Sequence, residues 1–264
     1  MAASLAALAL VAAVASTTGA AARPSHAARG RGAPAHAAFS LNPGPAIYIM
    51  VVGAGNVVLE PPSGTSVPET AIVTSRGPCG IALGTPLGAL VARRRTGGLP
   101  FAVRDYGHCT RSPANSGQLF VYSYDGETNH GQNGWEYKVN NRSGTAGAAD
   151  PAGPFGNGHV LAPGSQLLWF WCQSFAGGCQ RTLGVVGPKT VSRGSSFTVT
   201  IEGYDNDGRG IPMSGARVSF AGASAVTRAG GRVTFRAPSR AGIVSVRATR
   251  SGSVPAFPKP IVVR

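Results

Sequence analysis

Residues able to do bond chemistry are few in this chain of 264 residues and poorly grouped. His108 and Cys109 are adjacent, with Asp105 shortly before them. Neighbours on an extended chain point to opposite sides, so a thiolate–imidazole pair is not expected there. A serine triad through His108 and Asp105 would need a strained G-x-S-x-G elbow, and the sequence has none. It also has no H-E-x-x-H pair, no Walker A loop and no C-x-x-C. Gly53-Ala54-Gly55 lacks the third glycine and the helix of a dinucleotide loop. Asp205-Asn206-Asp207-Gly208 starts like a calcium loop, yet glycine comes fourth and Ala216 twelfth, so a β-turn is expected. Glu136 is an isolated strand carboxylate without an acid–base partner. His26 and His36 have no other ligand types around them. The expectation is a protein that is not an enzyme, with no cofactor and no metal.

The cysteines are Cys79, Cys109, Cys172 and Cys179. Their spacings are 30, 63 and 7 and do not fit paired zinc ligands. Four cysteines allow three pairings. Cys172 and Cys179 flank the turn-rich Gln-Ser-Phe-Ala-Gly-Gly, which can bring them to the required Cα separation of about 5.5 Å. That leaves Cys79 with Cys109, closing a loop worth about 3–4 kcal/mol in the chain-entropy model. Disulfides imply an oxidising compartment.

Aromatic residues are the best binding candidates. Trp135 and Tyr137 share one face of a strand, and Trp169 and Trp171 one face of another. Such faces bind planar rings or sugars, but core is the expected reading, with the ligand face kept as the candidate. Charge offers a second route. Lys+Arg 24 against Asp+Glu 10 gives +14, while charged residues make up only 13% of the chain. Arg93 to Arg95 form the densest basic run, but three residues is short, and a solvated helix end is expected rather than a phosphate or heparin patch.

These residues must be positioned by elements legible in the pattern. Leu5 to Val14 is apolar but too short to span a membrane, and small residues follow at Gly19 to Ala22. Residues 1–22 are expected to be a signal peptide, although no Lys or Arg precedes the apolar run. Residues 23–45 read as a flexible linker. A first domain over 46–185 is expected to be α+β, short strands packed with one helix. Its strands fall in 46–60, 118–126, 135–141 and 165–173, the first breaking at Gly53 and Gly55. The helix falls in 83–95, capped by Thr85, with Pro86 at its first position and Gly97 and Gly98 as its stop. In 165–173 Leu168 and Phe170 share one face and Leu167, Trp169 and Trp171 the other. Both faces being apolar predicts a central strand, or one face kept for a ligand. Over 186–264, Phe197/Val199/Ile201, Val218/Phe220, Val233/Phe235 and Val244/Val246 alternate at turn-separated intervals. This is the pattern of an all-β immunoglobulin-like sandwich. The segment carries 12 Lys+Arg and three acids, Glu202, Asp205 and Asp207.

Two stretches resemble known families. YDGETNHGQNGWEYKVNN, with LAPGSQLLWFW after it, resembles the transcobalamin-like C-terminal domain. Gly134, Trp135, Tyr137, Val139 and Asn140 match its Gly-Trp-x-Tyr-x-Val-Asn strand, and Gly164 and Trp169 match its Gly-Asp-x-Val-x-Trp strand. Ser165 stands in place of the acid and Leu167 in place of the valine. The resemblance covers about residues 46–175 and implies a domain that closes over a ligand. It carries over no ligand residue, since the helical barrel that supplies most of the family's corrin surface is lacking. The stretch TRAGGRVTFRAPSRAGIVSVRATRSG resembles bacterial immunoglobulin-like repeats through Thr227, Gly231 and Phe235, without the aspartate frequent before that glycine. This resemblance implies a spacer or adhesive unit. Together the two are similar to actinobacterial secreted proteins.

The expected function is a non-catalytic secreted or cell-surface binding module for a small ligand or a cell-wall polymer. Electrostatic adhesion to anionic wall polymers or nucleic acid is the alternative, with nucleic acid not the expected partner. A secreted enzyme with an unrecognised site is the second. No later segment reads as a membrane span.

Overall fold

A computed structural model describes residues 42–264. The expected signal peptide, His26, His36 and all but the end of the expected linker lie outside the described residues. Among the described residues the chain is mostly β-sheet with one α-helix, and they belong to one compact unit.

In the N-terminal body, β1 (Ala46–Val52) and β2 (Val58–Ser66) form an antiparallel pair across a short 3-10 turn at Ala54–Asn56. β3 (Thr70–Thr74) and β4 (Gly77–Ile81) form a hairpin. Next comes α1 (Pro86–Arg95), then β5 (Phe101–Asp105), β6 (Leu119–Tyr124) and β7 (Glu127–Thr128), which make a second small sheet. β8 (Gly134–Val139), β9 (Arg142–Ser143) and β10 (Gln166–Cys172) complete the first sheet in the order β2-β1-β10-β8-β9. β10 is therefore central, parallel to β1 and antiparallel to β8. Pro61 and Pro62 fall in β2, an edge strand, where missing N–H donors are tolerated.

The helix starts as its sequence dictates. The Thr85 hydroxyl accepts the Gly88 N–H at 3.2 Å, and Pro86 occupies the first turn. At the other end Gly98 N–H bonds to Arg93 C=O and Gly97 N–H to Arg94 C=O, the Schellman pattern, with Gly97 at φ 99°.

The C-terminal body contains β11 (Thr182–Val186), β12 (Thr190–Val191), β13 (Ser196–Tyr204), β14 (Gly210–Pro212), β15 (Arg217–Phe220), β16 (Ala223–Val226), β17 (Arg232–Arg236), β18 (Gly242–Thr249) and β19 (Lys259–Val263). β11, β14 and β17 all pair with β13, and the second sheet runs β12-β19-β18-β15-β16. Val199, Ile201, Val218, Phe220, Val246 and Ile261 fill the core between them, so the C-terminal body is a two-sheet β-sandwich. Its first strand begins at Thr182, ahead of the boundary expected at 186, because β11 takes its ladder from β13.

Period-two alternation decides how the two bodies meet. Ile47, Ile49 and Val51 of β1 and Leu167, Trp169 and Trp171 of β10 face α1 and β6. Met50, Val52, Leu168, Phe170 and Cys172 face the other way, against Val254, Phe257 and Phe175. The second apolar face of β10 is thus covered by the protein itself. Each such buried side chain contributes about 1.5–3 kcal/mol, so apolar contact holds this seam.

Lys138 lies in the same seam with no exposed surface. Its ammonium donates to Asp205 C=O at 2.8 Å, Tyr204 C=O at 3.2 Å and the Thr182 hydroxyl at 3.3 Å, and stands 5.7 Å from the Phe170 ring centre. Burial lowers its pKa to about 8, with Asp205 and Glu136 opposing the shift and Arg181 adding to it. The folded protein releases this proton near pH 8, whereas the unfolded chain holds it to about 10.5. Between those values the unfolded state binds more protons, so stability rises with pH. Above pH 10 buried Tyr124 and Tyr137 and half-buried Tyr204 act in the opposite sense, keeping their protons in the folded state. Lys138→Met is expected to flatten the rise between pH 8 and 10 in urea-unfolding free energy. An unchanged slope in the variant would place its source elsewhere.

Candidate functional site

A groove of about 880 Å³ lies between the β3–β4 hairpin, the end of α1 and the β5–β6 pair. Arg76, Arg94, Arg95 and Arg104 line it, together with Tyr106 and Tyr122. Local chemistry fixes each guanidinium. Arg76 Nη1 donates to Gly107 C=O at 3.0 Å and lies 3.0 Å from His108 Nδ1. Arg94 Nη1 donates to Gly98 C=O at 2.9 Å, and Arg95 Nη2 to Ala71 C=O at 3.4 Å. The Arg104 guanidinium sits 4.5 Å from the Tyr122 ring centre. Each contact uses a fraction of the five donors on a guanidinium.

Arg93 behaves differently. It points away into an ion pair with Glu60 at 2.8 Å. Glu60 also accepts the Leu99 N–H at 2.5 Å and the Tyr124 hydroxyl. This buried carboxylate pins the end of α1 beside the β5–β6 pair and so sets one wall of the groove. Among the described residues none of the four groove arginines has a carboxylate partner; the ion pairs involve Arg93, Arg181 and Arg209.

Asp105 is the one acid lining the groove, and its two oxygens accept Gly107 N–H at 3.0 Å and Cys109 N–H at 3.3 Å. Four arginines less one aspartate leave a formal charge of +3. Tyr106 is 63% exposed and pairs with Phe120, 39% exposed, at 6.1 Å between ring centres. The wall offers apolar ring surface beside cationic donors, suited to an anion carried on a ring or chain.

The cysteines pair as Cys79–Cys109 and Cys172–Cys179, with Cα separations of 5.3 and 5.0 Å. Both are bonded, so the cluster Cys79, Asp105 and Cys109 offers no thiolate to a metal, and Cys109 is no nucleophile. His108 Nδ1 faces a guanidinium rather than a carboxylate. The Asp205–Gly208 segment is a turn. Asp205 Oδ1 accepts Arg209 N–H at 2.8 Å, and that bond is the main reason its carboxyl lies below the usual range.

The four aromatics are core, as expected, and the candidate ligand face they offered is not presented. Trp135, Tyr137, Trp169 and Trp171 are 2%, 5%, 2% and 6% exposed. Trp135 and Trp171 pack edge to face, Trp135 Nε1 donates to Glu127 C=O, and the Tyr137 hydroxyl donates to Ala146 C=O. The strands were placed correctly, but β6 and the 144–148 turn cover their aromatic faces and leave a cavity of about 210 Å³. The arginine groove was missed because its residues come from four separate elements. Arg93–Arg95 was its one visible sign.

Neither a protein-family model nor a curated protein matches the chain. Among solved structures, the CARDB domain of a Pyrococcus furiosus protein, determined in complex with di-metal ions, is similar at 18% identity and a TM-score of 0.22. The match covers 32% of this chain and 87% of that one. Among the described residues no helix is long and apolar enough to cross a membrane. Two disulfides are consistent with an extracellular protein.

The two disulfides close loops of 30 and 7 residues. Chain entropy assigns them about 3.6 and about 2.4 kcal/mol. Cys79→Ser with Cys109→Ser should therefore lower the urea-unfolding free energy by about 1 kcal/mol more than Cys172→Ser with Cys179→Ser. The reverse order would show that the short hairpin, not loop closure, controls stability.

Proposed function

We propose that this chain is a non-catalytic, secreted or cell-surface binding module whose arginine groove holds a wall polymer bearing phosphate or carboxylate groups. The carrying observation is the set of four guanidinium groups, each anchored by a carbonyl or a ring and none neutralised by a carboxylate among the described residues. Anchoring lowers the entropy cost of binding, and the planar fork suits oxyanions. Disulfides direct the choice toward polymers outside the cell. Antiparallel pairing of β8 with β10, Trp135 opposite Trp171, supports reading 46–185 as an α+β domain of the transcobalamin C-terminal kind. In this reading the sandwich, which begins at Thr182, is its spacer.

Titration calorimetry with poly(glycerol phosphate) is expected to show saturable binding that weakens steeply from about 0.05 to 0.5 M salt. Arg76→Gln with Arg104→Gln should lower affinity about tenfold or more, the scale of a lost charge-assisted contact. Arg232→Gln on the sandwich should not. An equal loss from Arg232→Gln would reduce the interaction to net charge. Tighter binding of single-stranded DNA of equal charge would replace the polymer with nucleic acid. Polymer cleavage lost in His108→Ala would make the protein an enzyme.

A further inference from the structure

A second groove, of about 550 Å³, lies where the two bodies meet and shares no residue with the arginine groove. Leu183 and Val185 of β11, Ile243 of β18, Val262 of β19 and Phe257 give it an apolar lining. Ile243 and Val262 are cross-strand partners, yet they are 73% and 40% exposed. Such a pair on a sheet face leaves an apolar surface that the fold does not cover.

The cations of this groove differ in kind from those of the rest of the chain. The sequence has three lysines, Lys138, Lys189 and Lys259, and all its other basic residues are arginine. Lys138 is in the seam, and the other two both line this groove. Neither forms an ion pair or side-chain hydrogen bond among the described residues, and no acidic residue lines the groove. Asn141 and Gln166 line the groove from the N-terminal body with side-chain amides that are likewise unspent. A lysine carries a compact charge on a flexible apolar stem, so its head can follow an anion at the rim while its stem covers apolar surface. The volume falls in the usual range for small-molecule sites, about 300–1,000 Å³.

We infer that this seam groove binds a single-chain amphiphile with an anionic head, of the long-chain fatty-acid class, its chain along Ile243 and Val262 and its head at Lys189 and Lys259. This site is independent of the proposed wall-polymer groove. Because its ligand touches both bodies, binding should also stiffen the seam.

The test is fluorescence titration of the chain with cis-parinaric acid and, in parallel, its methyl ester. The acid should bind saturably and raise the melting temperature, and the ester should bind about tenfold more weakly or worse, having lost the charge. Ile243→Asp, at an exposed position, should abolish binding without altering the melt of the free protein. Lys189→Gln should weaken the acid but not the ester. Arg76→Gln with Arg104→Gln should leave both unchanged, which separates this site from the polymer groove. No saturable binding, equal binding of acid and ester, or unimpaired Ile243→Asp would overturn the inference.

Discussion

A sheet buried on both faces is the constraint from which the architecture follows. β10 reads Leu-Leu-Trp-Phe-Trp, and strand geometry sends those side chains alternately to opposite sides. Neither side tolerates water, so the chain must supply two covers. It supplies α1 and β6 for the first face and the edge of the sandwich for the second. The two bodies are therefore not beads on a string; each completes a surface the other cannot close alone.

Much of this was legible in the sequence. Thr85 and Pro86 marked a helix start through a hydrogen bond and a fixed φ, both local, and the helix begins there. Alternating apolar residues located β8, β10, β13, β15, β17 and β18 for the same reason. Cysteine spacing led to both pairings. What failed depended on distant neighbours. β2 was hidden by two prolines that only an edge strand accommodates, and β11 by the lack of any signal until β13 lies beside it. Period two revealed that β10 had two apolar faces but not whether protein or ligand would cover them.

The same limit explains why attention fell on tryptophans rather than arginines. Large aromatic side chains are the natural contents of a core: Trp135 Nε1 and the Tyr137 hydroxyl meet backbone carbonyls, while Trp169 Nε1 has no partner among the described residues. Arginines scattered over a hairpin turn, a helix end and a strand look like ordinary solvated charge until the fold gathers them. Their spatial clustering distinguishes the groove from the sandwich, whose basic residues are more numerous.

Lys138 grips the sandwich mainly through the main-chain oxygens of Tyr204 and Asp205. A main-chain oxygen is present whatever side chain a codon specifies. The turn that follows β13 is thus free to change its outward chemistry over evolutionary time while its docking stays fixed. Such a joint lets one half of a modular protein diversify without renegotiating its attachment to the other.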